Sequence, residues 1–250
     1  VDDMSNLIIG ASSGLGREIA NEFARNSKNL ILVSRSQKDL EILKRDLEIK
    51  YKIKVTIFQL DFSEMNQVSD FISNNQEMLE QLEGVLFPIG MMKENDNVKI
   101  SKEDLVTIFS ANFYCIIFFI TQILNIFEKQ NKGYIVGFGS ISGAIGRDVN
   151  TAYSCAKRAL ENFFESLIIS NLNNQIKIQF YTLGYLDTNL SFDKRLLLPK
   201  GSPSTLSKIV YKNLDKKGVK RFFPFWWIFI DIVIKIMPFF ITKKIIKYFN

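Results

Sequence analysis

A tyrosine and a lysine four residues apart are the side chains of this sequence best suited to moving a proton. Tyr153 and Lys157 lie in the stretch YSCAK, and helical spacing would place both on one face. A phenol has a pKa of about 10, but a neighbouring ammonium favours the phenolate and lowers that pKa. Ser140, upstream in GFGSISG, is placed to hydrogen-bond a carbonyl oxygen. Together they predict acid–base chemistry on a carbonyl or alcohol, whereas the Tyr–Lys spacing alone also fits an ordinary helix surface.

The amino-acid composition argues against several other chemistries. The 250 residues include no histidine, which excludes Ser–His–Asp hydrolases, histidine general bases and histidine-ligated zinc, so we expect no metal site. The two cysteines, Cys115 and Cys155, do not form a CxxC pair and fit a reducing compartment. The net charge of +6 is spread along most of the chain and no arginine-rich tract is present, so we expect no nucleic-acid partner.

A glycine-rich turn near the start of the sequence is typical of phosphate binding. The stretch GASSGLG follows an apolar run and opens a helical segment. Such a turn lets the backbone approach a pyrophosphate, while the helix N-terminus supplies N–H donors and a partial positive charge. An ordinary Gly/Ser turn is the alternative. The candidate cofactor contacts here are Gly10, Ser12, Ser13, Gly14, Leu15 and Gly16.

The end of the second apolar run, LVSRSQ, indicates which dinucleotide is bound. Folds that prefer NAD place an acidic residue here to bind the adenosine 2′-OH. This sequence has Ser34, Arg35 and Ser36 instead, and a guanidinium with flanking hydroxyls suits a 2′-phosphate. We therefore expect NADPH rather than NADH, a solvated surface arginine being the alternative.

The order of elements predicts an α/β domain. Short apolar runs alternate with longer segments of helical periodicity, which favours a parallel sheet covered by helices on both faces. The predicted strands are Leu7–Ile9, Leu30–Val33, Val55–Leu60, Val85–Phe87, Tyr134–Phe138 and Ile176–Tyr181. The predicted helices include Glu18–Arg25, Lys38–Ile49 and Val68–Leu82, and the apolar stretch Phe113–Phe127 is interpreted as a buried helix that also contributes to a subunit interface.

In combination these motifs resemble the short-chain dehydrogenases/reductases, and the likeness covers nearly the whole chain. Gly10, Gly14 and Gly16 match the family's cofactor turn, although Ile9 replaces its usual threonine. The resemblance implies a single Rossmann-type doubly wound domain over residues 1–221, with a mostly parallel seven-stranded sheet. It also implies a catalytic tetrad in which tyrosine donates the proton, lysine lowers its pKa and binds the nicotinamide ribose, serine orients the carbonyl and asparagine supports a proton relay. The matching residues are Asn112, Ser140, Tyr153 and Lys157.

Two stretches depart from the family's pattern. The Asn-Asn-Ala-Gly that usually follows the fourth strand reads Phe87-Pro88-Ile89-Gly90, so only the glycine persists. The Pro-Gly after the sixth strand reads Leu183-Gly184. The resemblance still implies further cofactor contacts, with an acidic residue holding the adenine amino group and a threonine meeting the carboxamide or diphosphate. These contacts are Asp61, Phe62, Gly90, Tyr153, Lys157, Gly184 and Thr188.

The stretch FFPFWWIFIDIVIKIMPFFI, residues 222–241, stands apart from this core. A membrane-spanning helix needs about 20 apolar residues, and Asp231, Lys235 and two prolines interrupt this run. We therefore expect residues 222–250 to form an amphipathic helical tail that lies on a membrane surface, with the tryptophans at headgroup level and the lysines toward anionic lipid. Packing across a partner subunit and insertion as a helix are the alternatives.

These features predict an NADPH-dependent reductase of a lipid-linked or otherwise lipophilic ketone, on the cytoplasmic face of a membrane, with residues 185–215 as a substrate-covering loop and helix. The stretch from Leu198 to Trp227 is similar to a branch of the family that reduces polyprenyl-phosphate-linked keto-sugars in bacterial cell-envelope polysaccharide synthesis. A homodimer or homotetramer is expected. A soluble reductase of a sugar nucleotide or small ketone, whose tail only oligomerises, is one alternative, and a cofactor-binding scaffold without turnover is another.

Overall fold

A seven-stranded sheet forms the centre of the protein. The computed structural model describes residues 4–170, 175–187 and 199–249, with side chains up to residue 244. The strand order is β3-β2-β1-β4-β5-β6-β7, and each neighbouring pair is parallel. The predicted doubly wound α/β fold is therefore confirmed, with all seven strands parallel. The strands are β1 Ser5–Ile9, β2 Asn29–Ser34, β3 Val55–Gln59, β4 Leu82–Phe87, β5 Tyr134–Ser140, β6 Lys177–Leu183 and β7 Val219–Phe223.

Helices cover both faces of this sheet. They are α1 Gly14–Arg25, α2 Gln37–Tyr51, α3 Met65–Asn74, α4 Gln76–Leu79, α5 Lys102–Phe109, α6 Cys115–Gln130, α7 Thr151–Ser170, α8 Pro203–Lys212, α9 Trp227–Ile236 and α10 Phe239–Phe249. A π-helical turn, Ser110–Tyr114, joins α5 to α6, and a 3-10 turn, Ile141–Ala144, follows β5. The single helix predicted over Val68–Leu82 was wrong in its extent. The helical conformation is interrupted at Asn75, between α3 and α4, and β4 already begins at Leu82.

The core lies in two layers because side chains alternate across each strand. Leu7 and Ile9 point into one apolar cluster, which contains the buried face of α6, and Ile8 points into the other, which contains that of α1. The strands read as continuous apolar runs since both faces are covered.

One helix, residues 102–130, is long and apolar enough to cross a membrane by length and composition alone, among the residues that the structure describes. Within it α6 buries Ile116, Phe119, Ile123 and Phe127 in the core cluster. These contacts make it a core helix, as predicted. Its predicted part in a subunit interface stays a prediction.

The C-terminal tail consists of two helices, α9 and α10, separated at Pro238. The predicted boundary between residues 221 and 222 falls inside β7, which continues to Phe223, so the tail begins after that strand. Gly184 N–H donates to the carbonyl of Phe223 at 2.8 Å, which ties the start of the tail to the end of β6. The tail is thus continuous with the sheet edge.

Candidate active site

A cavity of about 520 Å³ lies at the carboxyl ends of the central strands. The strand order changes direction here, because β1 pairs with β2 on one side and with β4 on the other, so the loops that follow β1 and β4 separate. The predicted residues that line this cavity are Gly10, Ser12, Ser13, Gly14, Leu15, Ser34, Arg35, Ser36, Asp61, Phe62, Gly90, Tyr153 and Lys157. Two candidate sets from distant parts of the sequence, the glycine turn and the Tyr–Lys pair, therefore share one cavity.

The glycine turn has the shape that a pyrophosphate requires. Gly10 has a φ of +96°, which L side chains rarely adopt. Gly16 does not line the cavity but lies behind the turn, where an added Cβ would come within 2.0 Å of the carbonyl oxygen of Gly10. At the N-cap of α1, Ser13 makes no side-chain capping bond among the described residues, so the first-turn N–H groups face the cavity uncapped. The turn therefore fits a bound phosphate.

The ends of β2 and β3 form the part of the cavity predicted to hold the adenosine. The side chain of Ser36 accepts from Asp39 N–H and caps α2. The Arg35 carbonyl accepts from Gln59 Nε2 at 3.0 Å, so hydrogen bonds hold the main chain at Arg35 while its side chain is exposed. Asp61 Oδ1 accepts from both the N–H and the hydroxyl of Ser63. These bonds hold the backbone of Arg35 and the side-chain carboxylate of Asp61, and both residues line the cavity.

Lys157 is buried beneath the cavity and binds main-chain oxygens. Its Nζ donates to the carbonyl of Ile89 at 2.9 Å and to that of Phe138 at 3.1 Å, and it lies 5.9 Å from the centre of the Tyr153 ring. Burial lowers the pKa of Lys157 to about 7. The lysine therefore links the ends of β4 and β5 to α7.

The expectation that Lys157 lowers the pKa of Tyr153 was wrong for this structure. Burial raises the pKa of Tyr153 above its ordinary value, and a hydrogen bond with Ser140 and the positive charge of Arg147 lower it in part. The reason is that burial lowers the pKa of Lys157 to about 7, so the amine has lost its charge in the pH range in which the phenol titrates. Tyr153 therefore keeps its proton at neutral pH.

Asn112 and Ser140 lie beside the cavity and are held by local hydrogen bonds. Asn112, in the π-helical turn, donates from Nδ2 to the carbonyls of Met91 and Ile108 at 2.8 Å and accepts at Oδ1 from Met91 N–H. An added Cβ on Gly90 would lie 3.9 Å from both Asn112 Oδ1 and the Tyr153 hydroxyl. Asn112 therefore braces the loop after β4, and the predicted tetrad is gathered around that loop.

Ser140 ends β5 with its hydroxyl oriented by a second serine. Its Oγ accepts from both the N–H and the hydroxyl of Ser142, at 3.2 and 2.9 Å. Since both of these bonds are accepted, the hydroxyl proton of Ser140 is left for a third partner, which in this structure is the hydroxyl oxygen of Tyr153 and which could be an oxygen bound in the cavity. Ser142 was not predicted, and only its place two residues after Ser140 could have indicated it.

The unusual stretch after β4 keeps the main-chain contacts of the site. Phe87 is buried and packs against Phe62 and Phe119, while Pro88 and Ile89 line the cavity. Lys157 binds the carbonyl of Ile89 rather than a side chain. The replacement of polar by apolar side chains therefore leaves this anchor of the lysine in place.

Asp96 is a buried carboxylate that sequence reasoning missed. It is 3% exposed and accepts from the N–H groups of Ala152 at 2.7 Å and Tyr153 at 2.9 Å, so it caps α7, the helix that carries the candidate Tyr–Lys pair. A carboxylate at a helix N-terminus is stabilised by the free N–H groups and by the helix dipole. No local pattern indicates this role because Asp96 lies 56 residues before Ala152.

Replacing this carboxylate tests its role in positioning the phenol. We expect Asp96→Ala to lower the free energy of unfolding by about 1–3 kcal/mol, since two buried N–H groups lose their acceptor. Turnover should fall more than apparent substrate affinity, because the hydroxyl of Tyr153 shifts. Asp96→Asn retains one acceptor oxygen and should recover part of both losses. Urea unfolding and steady-state kinetics measure the two effects, and Asp70→Ala, an exposed aspartate on α3, is the control. Equal kinetics for Asp96→Ala and Asp70→Ala would contradict the role.

Gly184 lies against the tail rather than in the cavity wall. An added Cβ there would come within 1.8 Å of Trp227 Nε1, and Trp227 also packs edge-on against Tyr185, with ring centres 5.3 Å apart. Trp227 was predicted only as a membrane-interface residue, and the structure buries it under the loop after β6. Thr188, the remaining predicted contact, lies outside the described residues.

Comparison with known proteins agrees with this architecture. The sequence profile described as short chain dehydrogenase matches residues 5–196, so the chain belongs to the short-chain dehydrogenase family of oxidoreductases. It is 29% identical over 193 residues to an NADP-dependent 3-hydroxy acid dehydrogenase of Schizosaccharomyces pombe, a match that covers 76% of this chain and 74% of that protein. It is 26% identical over 237 residues to a very-long-chain 3-oxoacyl-CoA reductase of Neurospora crassa, covering 88% and 68% of the two.

A solved structure shows the same fold. The short-chain dehydrogenase from Sphingobium yanoikuyae in complex with NADPH superposes with a TM-score of 0.80, and the match covers 88% of each chain. The two sequences are 20% identical, so this likeness concerns the fold.

Proposed function

We propose that the protein is an NADP(H)-dependent oxidoreductase that reduces a ketone to an alcohol. The observation that carries this proposal is the meeting of the glycine turn, Tyr153 and Lys157 in one cavity. The predicted NADP(H) cofactor is supported by the NADP-dependent relative and by the NADPH complex of the same fold. When bound, the nicotinamide supplies the hydride that reduces the carbonyl carbon.

The chain's own residues supply the proton and the orientation. Tyr153, whose raised pKa keeps it protonated near neutral pH, donates its hydroxyl proton to the carbonyl oxygen. Ser140 donates a hydrogen bond to the same oxygen, because Ser142 occupies its acceptor positions. A phenol that is protonated at neutral pH suits reduction, whereas oxidation of the alcohol needs the phenolate and should quicken as the pH rises.

The preference for NADPH is assigned to Arg35. Its side chain is exposed at the mouth of the cavity, between Ser34 and Ser36, where the adenosine 2′-phosphate would lie. A guanidinium binds a phosphate through charge-assisted hydrogen bonds, which the 2′-hydroxyl of NADH cannot match. Asp39 lines the same region, so removal of the arginine would leave a net negative charge there.

We expect Arg35→Asp to raise the dissociation constant for NADPH by about 10-fold to 100-fold, since a charge-assisted bond is lost and a repulsion is added. The dissociation constant for NADH should stay within about threefold of the wild-type value, since a carboxylate accepts from the 2′-hydroxyl. Cofactor fluorescence titration measures both constants. Lys38→Asp changes the charge equally at an exposed position on α2 and is the matched control. An unchanged preference for NADPH in Arg35→Asp would refute the assignment.

The substrate is proposed to be a ketone carried by a lipophilic group. Two relatives are named for 3-hydroxy acids and for very-long-chain 3-oxoacyl-CoA, in which the oxygen lies at the third carbon of an acyl chain. The polyprenyl-phosphate keto-sugar branch stays a prediction, as neither relative is named for such a sugar. The soluble alternative, a reductase of a sugar nucleotide or a small ketone, predicts a different substrate range.

A panel of ketones tests the proposal directly. Consumption of NADPH would be followed with 3-oxoacyl thioesters of short and long chain, polyprenyl-linked keto-sugars, sugar nucleotides and small ketones. We expect turnover with a long-chain or polyprenyl-linked ketone and little with its short-chain counterpart. Turnover of water-soluble ketones alone would favour the soluble alternative. Tight NADPH binding without turnover of any ketone would favour the scaffold.

A further inference from the structure

The tail carries an unusual amount of exposed apolar surface. Of the eighteen large apolar side chains that are exposed among the described residues, nine lie within residues 225–241, just before α9, on α9 and at the start of α10. We call these nine side chains the tail face. Phe229, Ile236, Phe239 and Phe240 are 62–77% exposed. Apolar clusters of this kind mark interaction sites, since a folded chain otherwise keeps such side chains apart.

We propose that the tail face is a docking surface for the surface of an anionic lipid bilayer. The first argument is the charge around it. The chain from residue 225 onward contains four lysines and one aspartate. That aspartate, Asp231, points inward, is 7% exposed and pairs with Lys235 at 2.6 Å. Lys243 and Lys244 are exposed next to the apolar face, so the uncompensated charge at this surface is positive.

The lengths of the two helices fit a position in the interface rather than a span. α9 has 10 residues and α10 has 11, and Pro238 separates them. At about 1.5 Å per residue each helix covers roughly half of the ~30 Å hydrocarbon core. Apolar helices of this length with adjacent lysines can lie along the bilayer surface, with the aliphatic chains of the lysines directed outward.

The same charge argues against a second copy of the chain as the occupant. A symmetric contact through the tail face would bring the exposed Lys243 and Lys244 of two copies near one another, and no carboxylate on the described part of this surface would offset them. An anionic bilayer provides both the apolar and the negative component in one partner.

The inner side of α9 connects this surface to the active site. Trp227 packs against the loop after β6, and α9 also packs on the 3-10 turn, Ile141–Ala144, that follows Ser140. Docking of the outer side would therefore hold the region that follows Ser140 close to the bilayer. The docking surface itself does not depend on the proposed reaction, and its test needs no substrate.

Vesicle flotation of the full chain tests the inference. We expect the protein to float with vesicles that contain phosphatidylserine and to float less with pure phosphatidylcholine vesicles. Phe229→Ser combined with Ile236→Ser, seven residues apart on α9, should reduce the vesicle-bound fraction at least about tenfold, because it removes apolar area that would be buried in the bilayer. Ile42→Ser combined with Ile49→Ser is the matched control, because these two residues are also seven positions apart on one helix, α2. They are 53% and 71% exposed, compared with 62% for Phe229 and 77% for Ile236.

A second pair of variants separates charge from apolar contact. Lys243→Glu combined with Lys244→Glu should lower binding to the anionic vesicles about tenfold or more while leaving weak binding to neutral vesicles unchanged. Lys216→Glu combined with Lys217→Glu makes the same charge change at an exposed pair before β7 and should retain binding. NADPH titration of each variant confirms that the domain remains folded.

Three results would overturn the inference. One is a folded wild-type chain that does not float with anionic vesicles. Another is equal loss of flotation in the α9 and α2 variants. The third is self-association without lipid that the α9 pair abolishes, because it would assign the tail face to a second copy of the chain.

Discussion

Tyr153→Phe is expected to lower turnover by about 100-fold to 10,000-fold while leaving the affinity for NADPH within about twofold of the wild-type value. The substitution removes one oxygen, the only group of this side chain that can give a proton to a carbonyl. The ring itself is partly buried and is retained, so the packing of α7 should change little. Single-turnover oxidation of NADPH with the best ketone of the panel measures the loss, and fluorescence titration measures the affinity.

The matched control for this substitution is Tyr51→Phe. Tyr51 ends α2, packs at the edge of the second core cluster and does not line the cavity. It loses the same hydroxyl and should retain full turnover. If Tyr153→Phe kept more than about a tenth of the wild-type rate, another group would have to supply the proton, and the proposed role of Tyr153 would be abandoned.

Sequence reasoning succeeded where the chemistry depends on neighbours in the chain. The glycine turn and the Tyr–Lys pair are local patterns, because a strand-to-helix turn and one helical turn each span only a few residues. The alternation of apolar runs and helical segments likewise predicted the parallel sheet, because strands that are covered by helices on both faces are apolar along their whole length. All of these features are present in the structure.

Prediction from the sequence failed where a contact joins distant parts of the chain and where a property depends on burial. Asp96 caps α7 across 56 residues, and no spacing rule connects the two. The direction of the Tyr153 pKa shift depends on how deeply the phenol is buried and on the pKa of the Lys157 amine, which burial lowers to about 7, and a motif contains neither. Desolvation outweighs the favourable neighbours of the phenol in this case.

The tail shows how a structure can change the meaning of a charged residue. In the sequence, Asp231 and Lys235 interrupt an apolar run and count against insertion in a membrane. In the structure Asp231 faces inward and pairs with Lys235, so the two charges offset each other and leave the outer side of α9 apolar. A pair of residues that argues against a spanning helix is thus compatible with one that lies on a surface.

Gly16→Ala is expected to abolish NADPH binding and to lower the free energy of unfolding by about 1–3 kcal/mol or more. The added Cβ would lie 2.0 Å from the carbonyl oxygen and 2.8 Å from the carbonyl carbon of Gly10. Neither atom can rotate away, because Gly10 N–H donates to the carbonyl of Val33 at 2.8 Å and holds the turn against β2. The start of α1 would have to move outward, and its N–H groups would no longer converge on the pyrophosphate position.

Gly146→Ala is the control for this prediction, since no heavy atom of the described residues other than its chain neighbours lies within 4 Å of its added Cβ. It should retain both stability and cofactor affinity, which separates the effect of the clash from that of any Gly-to-Ala exchange on the unfolded chain. Urea unfolding and NADPH fluorescence titration measure the two variants side by side. Wild-type affinity in Gly16→Ala would mean that the phosphates bind elsewhere than at this turn, and the position assigned to the cofactor would then be wrong.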